Sequence, residues 1–325
     1  MRRFTARKAT VIAAALAVLT CCAPRGPIVE GDGMEPHRQT LRTMPQNEDL
    51  LYLSSGVWIY VYDLKGAVPP YMIGGLWGPS GMCVNSAGDI WVTESGSGEV
   101  VRFLHGGTSV VSTLHDPKSR PLGCAVDRTT GNVAVSSSRG PQPFDPGDVA
   151  VFPRALDNPI IYRLPDLMFY FFCTYDDSGN LFVDGQDHNF DIVIAKLPKG
   201  GTRMSKLAVR GLPPNFHYPG GIFWDGQYLV VGDYDRGIIY RLKVTGPAAS
   251  VVSSTRLLES SGLDQFFIGR LRYGFNTAPV LVAPNNMTTT AMIWNYPAGG
   301  EPIQTLGNIP YFIGAVISSS VSGSR

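Results

Sequence analysis

The polar side chains able to do chemistry fall into a few short clusters along the chain: Glu94; His115, Asp116, Lys118 and Arg120; Asp184, Asp187, His188 and Asp191; His217; and Asp233, Asp235 and Arg236. Carboxylates and imidazoles brought together on one rim would offer oxygen and nitrogen ligands to a divalent cation, or a general acid and base to a substrate. If they converge, Asp184, His188 and Asp233 are the metal set, with His217 beside them; if they do not, the same residues are a solvated rim. The spacing alone leaves both open. There is no Gly-x-Ser-x-Gly elbow, no phosphate loop and no His-x-x-x-His pair, so no residue is assigned a catalytic role.

Aromatic residues form a second constellation. Trp77, Phe169, Tyr170, Phe171, Phe216, Tyr218, Phe266, Tyr311 and Phe312 gather in the connections that lead into apolar runs, with His217 among them. Rings placed there are either a stacking platform for a sugar, a peptide or an apolar ligand, or packing between neighbouring elements. A third set, Asn85, Asp127, Asp176 and Asp225, recurs at matching positions, each followed within a few residues by Gly88, Gly131, Gly179 or Gly226. An Asx side chain that accepts from backbone amides of a tight turn explains this better than a ring of metal ligands.

These residues are positioned by a repeat. Gly81, Gly123, Phe172, Gly221, Phe267 and Gly314 mark inner apolar runs spaced 42 to 49 residues apart. Each opens a unit of several short β-rich segments separated by Asx-Gly and Gly-Gly turns. A period in the forties with about four short strands per unit is the pattern of a β-propeller blade. The expected fold is all-β, a six-bladed β-propeller over residues 49–320. One unit is split. Residues 314–318 form an opening strand with nothing after it, while 50–53, 58–62 and 71–73 are second, third and fourth strands with no opening strand before them. Joined, they complete one blade and close the ring.

The segments GPSGMCVNSAGDIWVTES, PLGCAVDRTTGNVAVSSS and YFFCTYDDSGNLFVDGQ resemble the repeat of NHL-type propellers and of the related senescence-marker-protein/gluconolactonase superfamily. The resemblance runs over most of 49–319. It implies the fold, and a choice among protein-binding scaffolds, lactonases and lyases. Metal-dependent lactonases of that superfamily carry an oxygen ligand just before the anchor of an inner strand. Here those positions are Ser80, Leu122, Phe171, Gly220, Phe266 and Ile313, none of them a carboxylate or amide, which argues for a binding module over an enzyme.

Lys+Arg number 27 against Asp+Glu 26, too balanced for a phosphate-neutralising surface, so nucleic acid is excluded as a partner. Charged residues are only 16% of the chain, below the roughly 25% of an average soluble domain. Residues 1–22 read as an export signal: Arg2, Arg3, Arg7 and Lys8 precede a short apolar run ending at Cys21-Cys22, too short to span a membrane. Val18-Leu19-Thr20 resembles a bacterial lipobox, which makes Cys21 or Cys22 the lipidation site; simple secretion and an uncleaved anchor are the alternatives. Residues 23–48, rich in proline, read as a linker and 321–325 as a tail. Cys83, Cys124 and Cys173 lie in inner strands, Cys83 one residue out of step with the other two. They are expected to be small buried hydrophobes, with one disulfide open to a chain outside the cytoplasm.

The sequence therefore describes an exported propeller at the bacterial cell envelope, lipid-tethered or secreted, that binds a small molecule, a glycan or an envelope protein and touches the membrane only through its lipid. No cofactor is expected. The runner-up is a metal-dependent lactonase-like hydrolase or lyase with a divalent cation at the mouth of the central channel.

Overall fold

The computed structural model describes residues 44–64, 70–116, 120–140, 142, 145–273, 276–307 and 311–320. The export signal with Cys21 and Cys22, most of the linker, Lys118 and the tail lie outside the described residues.

The chain folds as a six-bladed β-propeller. The first sheet contains β1 (Leu50–Ser55), β2 (Ile59–Asp63) and β3 (Tyr71–Ile73). The second is β4 (Pro79–Val84), β5 (Ile90–Glu94), β6 (Glu99–Phe103) and β7 (Val110–His115). The third is β8 (Pro121–Val126), β9 (Val133–Ser137), β10 (Asp148–Phe152) and β11 (Ile160–Tyr162). The fourth is β12 (Phe169–Tyr175), β13 (Leu181–Gln186), β14 (Ile192–Leu197) and β15 (Ser205–Lys206). The fifth has five strands: β16 (Ala208–Arg210), β17 (Pro219–Trp224), β18 (Leu229–Asp233), β19 (Ile238–Thr245) and β20 (Ala248–Arg256). The sixth is β21 (Phe267–Tyr273), β22 (Asn276–Asn285), β23 (Thr290–Asn295) and β24 (Gln304–Leu306). The final strand, β25 (Phe312–Ser318), returns to the first sheet as its innermost member, pairing Leu50 with Ser318 and Leu53 with Ala315.

Middle strands are sandwiched between neighbouring blades, so they are apolar on both faces. Every residue of β5, β9, β10 and β18 is buried, whereas β20, on the outer side, alternates in exposure along AASVVSSTR. This difference between continuous and alternating apolar runs is the one expected for doubly and singly covered strands. The anchor glycines allow inner strands to crowd together. A Cβ on Gly81 would stand 2.2 Å from the Leu122 carbonyl oxygen of the next blade.

One recurring position stitches these strands. Ser54, Thr93, Ser136 and Asp184 occupy equivalent places near the ends of β1, β5, β9 and β13. The Ser54 hydroxyl donates to the Ser80 carbonyl, Thr93 Oγ1 donates to the Gly81 carbonyl at 3.0 Å, and Ser136 Oγ donates to the Phe171 carbonyl at 2.8 Å. Asp184 Oδ1 accepts from the Phe172 amide at 2.8 Å. Inner strands β4, β8, β12 and β17 each carry a register shift near their start, and these side chains engage backbone groups that the shift takes out of the ladder.

The repeated Asx residues make the turns expected of them. Asn85 Oδ1 accepts from the Ala87 and Asp89 amides, Asp176 Oδ1 from Ser178 and Asn180, and Asp225 Oδ1 from Gln227 and Tyr228, all between 2.7 and 2.9 Å.

Candidate functional site

Each blade has two ends. At one, inner strands begin and second strands finish, so the long connections collect there; this is the loop face. At the other lie the Asx turns, the turn face. The polar clusters and the aromatics singled out in the sequence belong to the loop face.

The metal set does not assemble. Among the described residues no three His, Cys, Asp or Glu side chains form a metal-ligand group. Asp184 is fully buried, and burial pushes its carboxyl well above the usual carboxylate range, only partly offset by the Phe172 amide. A carboxyl whose charged form burial disfavours, and which is engaged with its own inner strand, is a poor cation ligand. Asp233 caps the turn after β18: its Oδ1 accepts from the Arg236 amide at 3.2 Å and its Oδ2 lies 3.6 Å from the Arg236 guanidinium. Burial raises its pKa against the pull of Arg236. Glu94 plays the same part after β5, accepting from the Trp77 amide and the Ser97 hydroxyl at 3.1 Å. His188 and His217 are exposed. Histidine and acid also meet on the outer edge of the second blade, where His115 Nδ1 lies 2.6 Å from Asp157 Oδ2.

The aromatic set divides. Tyr170, Phe216, Phe266 and Phe171 are buried. Tyr170 donates from its hydroxyl to the Leu164 carbonyl and accepts from the Leu164 amide, and Phe216 packs 5.6 Å from Tyr240. Packing therefore accounts for Tyr170, Phe216 and Phe266, which present no face to a ligand at the surface. Trp77 is 72% exposed, Tyr311 66%, Phe190 55% and Tyr218 40%. Phe312 begins β25 and its side chain is outside the described set.

Rings of the fourth and fifth blades form a row that a list of positions does not show. Phe190 to Phe169 is 6.0 Å between centroids, Phe169 to Phe171 6.5 Å, Phe171 to Tyr218 5.3 Å and Tyr218 to Tyr234 4.9 Å. Arg139 from the third blade places its guanidinium 5.5 Å over Phe169. At the far end stands Asp264, whose carboxylate accepts from Asn286 Nδ2 at 3.0 Å and whose pKa burial raises to about 7. Burial, with Asp264 and Tyr234 nearby, pushes the Tyr218 phenol up to about 12, so it is neutral at physiological pH.

A cavity of about 570 Å³ lies at the opposite end of the ring. Its walls are the later halves of inner strands β4, β8, β12 and β17, including Cys83, Cys124, Thr174, Tyr175, Phe223 and Trp224, with Phe267 at the start of β21. Gln265 lines it and ties non-adjacent blades together. Its Oε1 accepts from the Met82 amide at 2.8 Å, and its Nε2 donates to the Met82 carbonyl at 2.7 Å. The bridge passes Gly314 of the blade between, where a Cβ would stand 2.7 Å from Gln265 Oε1.

Cys83 and Cys124 are joined as a disulfide in the cavity wall, and Cys173 is free and buried. The expectation of three small hydrophobes is corrected for the first two. The reason is the one-residue offset. Side chains alternate across a strand, so the equivalent Cys124 and Cys173 both point back toward the preceding blade, with Sγ contacts to the Trp91 and Ala134 carbonyls. Cys83, out of step, points forward and meets Cys124.

Residues 76–103, spanning β4 to β6, match the NHL repeat. Among solved structures, a chain of a nidogen/laminin complex superposes with a TM-score of 0.64 at 15% identity, covering 84% of this chain and 99% of its own. A protein of unknown function from Bacteroides caccae superposes with a TM-score of 0.58 at 11% identity, covering 83% of this chain and 99% of its own. At these identities the likeness is one of fold. No curated protein matches the sequence.

Sequence reasoning missed the cavity and its Gln265 bridge. The signal available was weak: one amide residue next to the anchor of the least regular repeat. Phe169 was noted only as part of a cluster, and the ring row adds Phe190, Tyr234 and Arg139.

Proposed function

We propose that this protein is an exported, lipid-tethered binding module of the bacterial cell envelope that engages an envelope glycan through the aromatic rim of its loop face. Exposure of Trp77, Tyr311, Phe190 and Tyr218 on that one face carries the reading. A solvated face gains nothing from large rings, whereas the flat faces of sugars stack on them and their hydroxyls bond to polar tips. The stacked row supports it by fixing Tyr218 and Phe190 in place, so little side-chain freedom is lost on binding. The Cys83–Cys124 disulfide supports export, because such bonds persist in oxidising compartments. Cys21 or Cys22 would carry the lipid.

Co-sedimentation with purified peptidoglycan sacculi tests the reading. The wild-type chain should pellet saturably, and Trp77→Ala, Phe190→Ala and Tyr218→Ala should each weaken binding by roughly three- to tenfold at unchanged melting temperature. Failure of the wild type to pellet, or equal pelleting by all three variants, would refute it.

A further inference from the structure

We infer that the cavity on the turn face is a second binding site, taking a small organic anion carried on a flat ring. The argument starts from which charges at its mouth are already engaged. Asp225 Oδ2 accepts from the Arg241 guanidinium at 2.9 Å and from the Tyr296 hydroxyl at 2.5 Å, while its Oδ1 holds two turn amides. Asp176 accepts from two turn amides and from Asn180 Nδ2 at 2.7 Å. Asp177 Oδ2 accepts from the Trp224 indole at 2.9 Å. Burial opposes the charge on Asp225, yet its hydrogen bonds from Tyr296 and the turn hold its pKa below the usual value, so it remains an anion neutralised by Arg241.

Two arginines are left without an ion pair among the described residues, as are Asp176 and Asp177, whose partners are neutral donors. Arg128 and Arg270 both line the cavity and are exposed, and among the described residues neither makes an ion pair. Arg128 follows β8 of the third blade and Arg270 lies in β21 of the sixth. Blades three apart in a ring of six face each other, so the guanidiniums stand on opposite sides of the mouth. Between them the fifth blade presents the half-buried rings of Phe223 and Trp224. The indole of Trp224 is held by Asp177 and Phe223 is braced edge-on by Phe267 at 5.2 Å. Rings held on the two faces of β17, with a guanidinium on either side of the mouth, favour a flat ring bearing carboxylate or sulfonate, and the volume suits one small ligand.

The site is independent of the aromatic rim on the loop face, and one titration separates them. Anilinonaphthalene sulfonate, a fluorescent aromatic anion, should bind the full-length protein saturably at one site per chain. Arg128→Gln and Arg270→Gln should each weaken it roughly fivefold, and Trp224→Leu at least as much. These side chains are at the cavity mouth, so melting temperatures of the arginine variants should not change. The uncharged phenylnaphthylamine should bind roughly tenfold more weakly. Tyr218→Ala should leave the titration unchanged. Absence of saturable binding, unaltered affinity in both arginine variants, or loss of binding in Tyr218→Ala would each overturn the assignment.

Discussion

Removing the Cys83–Cys124 bond should lower the melting temperature by about 7 °C. The bond joins residues 41 apart in sequence. Cross-linking a loop of that length removes about 13 cal/mol/K of entropy from the unfolded chain, or about 4 kcal/mol at 25 °C. Unfolding releases about 2.1 cal/mol/K per residue, so for a domain of roughly 280 residues each kcal/mol is worth about 2 °C. Cys83→Ala with Cys124→Ala is the right perturbation, because serine would add hydroxyls to the apolar cluster around Trp91, Val135 and Phe152. Calorimetry gives the shift and thiol counting tests its premise. In a chain carrying Cys21→Ser and Cys22→Ser, the denatured unreduced protein should show a single thiol, Cys173, and the reduced protein three. Native protein should show none, since Cys173 is buried and burial pushes its pKa up to about 12. Three thiols before reduction, or a double-alanine variant that melts with the parent, would refute the reasoning.

Other perturbations reach different parts of the ring. Gln265→Ala removes both bonds to Met82 and leaves a buried amide and carbonyl unpaired at about 1–3 kcal/mol each; chemical denaturation should show a loss near 3 kcal/mol, and a loss under about 1 kcal/mol would mean the bridge is not made. Asp264 has its folded pKa raised to about 7, so the folded state keeps a proton the unfolded chain has lost. Stability should therefore be greatest below about pH 4 and decline as pH rises to about 7, with a ceiling of about 4 kcal/mol that solvent at this half-buried group lowers. Asp264→Asn should flatten that slope in a pH series of melts, and an unchanged slope would remove Asp264 as its source. Deleting 314–325 takes away most of β25 and should abolish cooperative unfolding; a truncated chain with the parent melting temperature would sink the ring closure. Cys21→Ser with Cys22→Ser should move the protein from the membrane to the soluble fraction of its host, and persistence in membranes would exclude the lipid tether.

What the sequence disclosed follows from the range of the interactions involved. Inner strands, Asx turns and the split first blade are local patterns repeated several times, and repetition makes a weak local signal strong. The crossover at residues 205–210 had no such support. Ser205–Lys206 ends the fourth sheet and Ala208–Arg210 then pairs in parallel with β20 on the outside of the fifth, a contact whose partner comes forty residues later. Asp184 was misread for a different reason. Taken alone it is an acid near a channel mouth; set beside Ser54, Thr93 and Ser136 at the same position, it is the fourth member of a stitching set. The cysteine pairing was not read from the sequence, although the one-residue offset of Cys83 carried the signal, since equivalent positions on successive inner strands face the same way and cannot meet. Clustering placed the aromatics on one face, but which ring of Phe169, Tyr170 and Phe171 turns outward depends on the register shift inside β12.

The two ends of the ring share one economy of charge, and it bears on the choice between binding and catalysis. A general base needs a carboxylate with a lone pair free to reach substrate. On the loop face Glu94 and Asp233 close the turns after second strands and Asp184 holds an inner strand through Oδ1, while Oδ2 of Asp184 and of Asp233 accepts no hydrogen bond among the described residues. On the turn face Asp176 and Asp225 shape the hairpins, and Asp225 also anchors Arg241 and Tyr296. A fold that makes six blades from short strands needs a polar cap at almost every turn, and with charged residues at 16% of the chain most acids near the channel are drawn into that task. Among the described residues, exposed rings on one face and guanidiniums without an ion pair on the other are groups able to hold ligands.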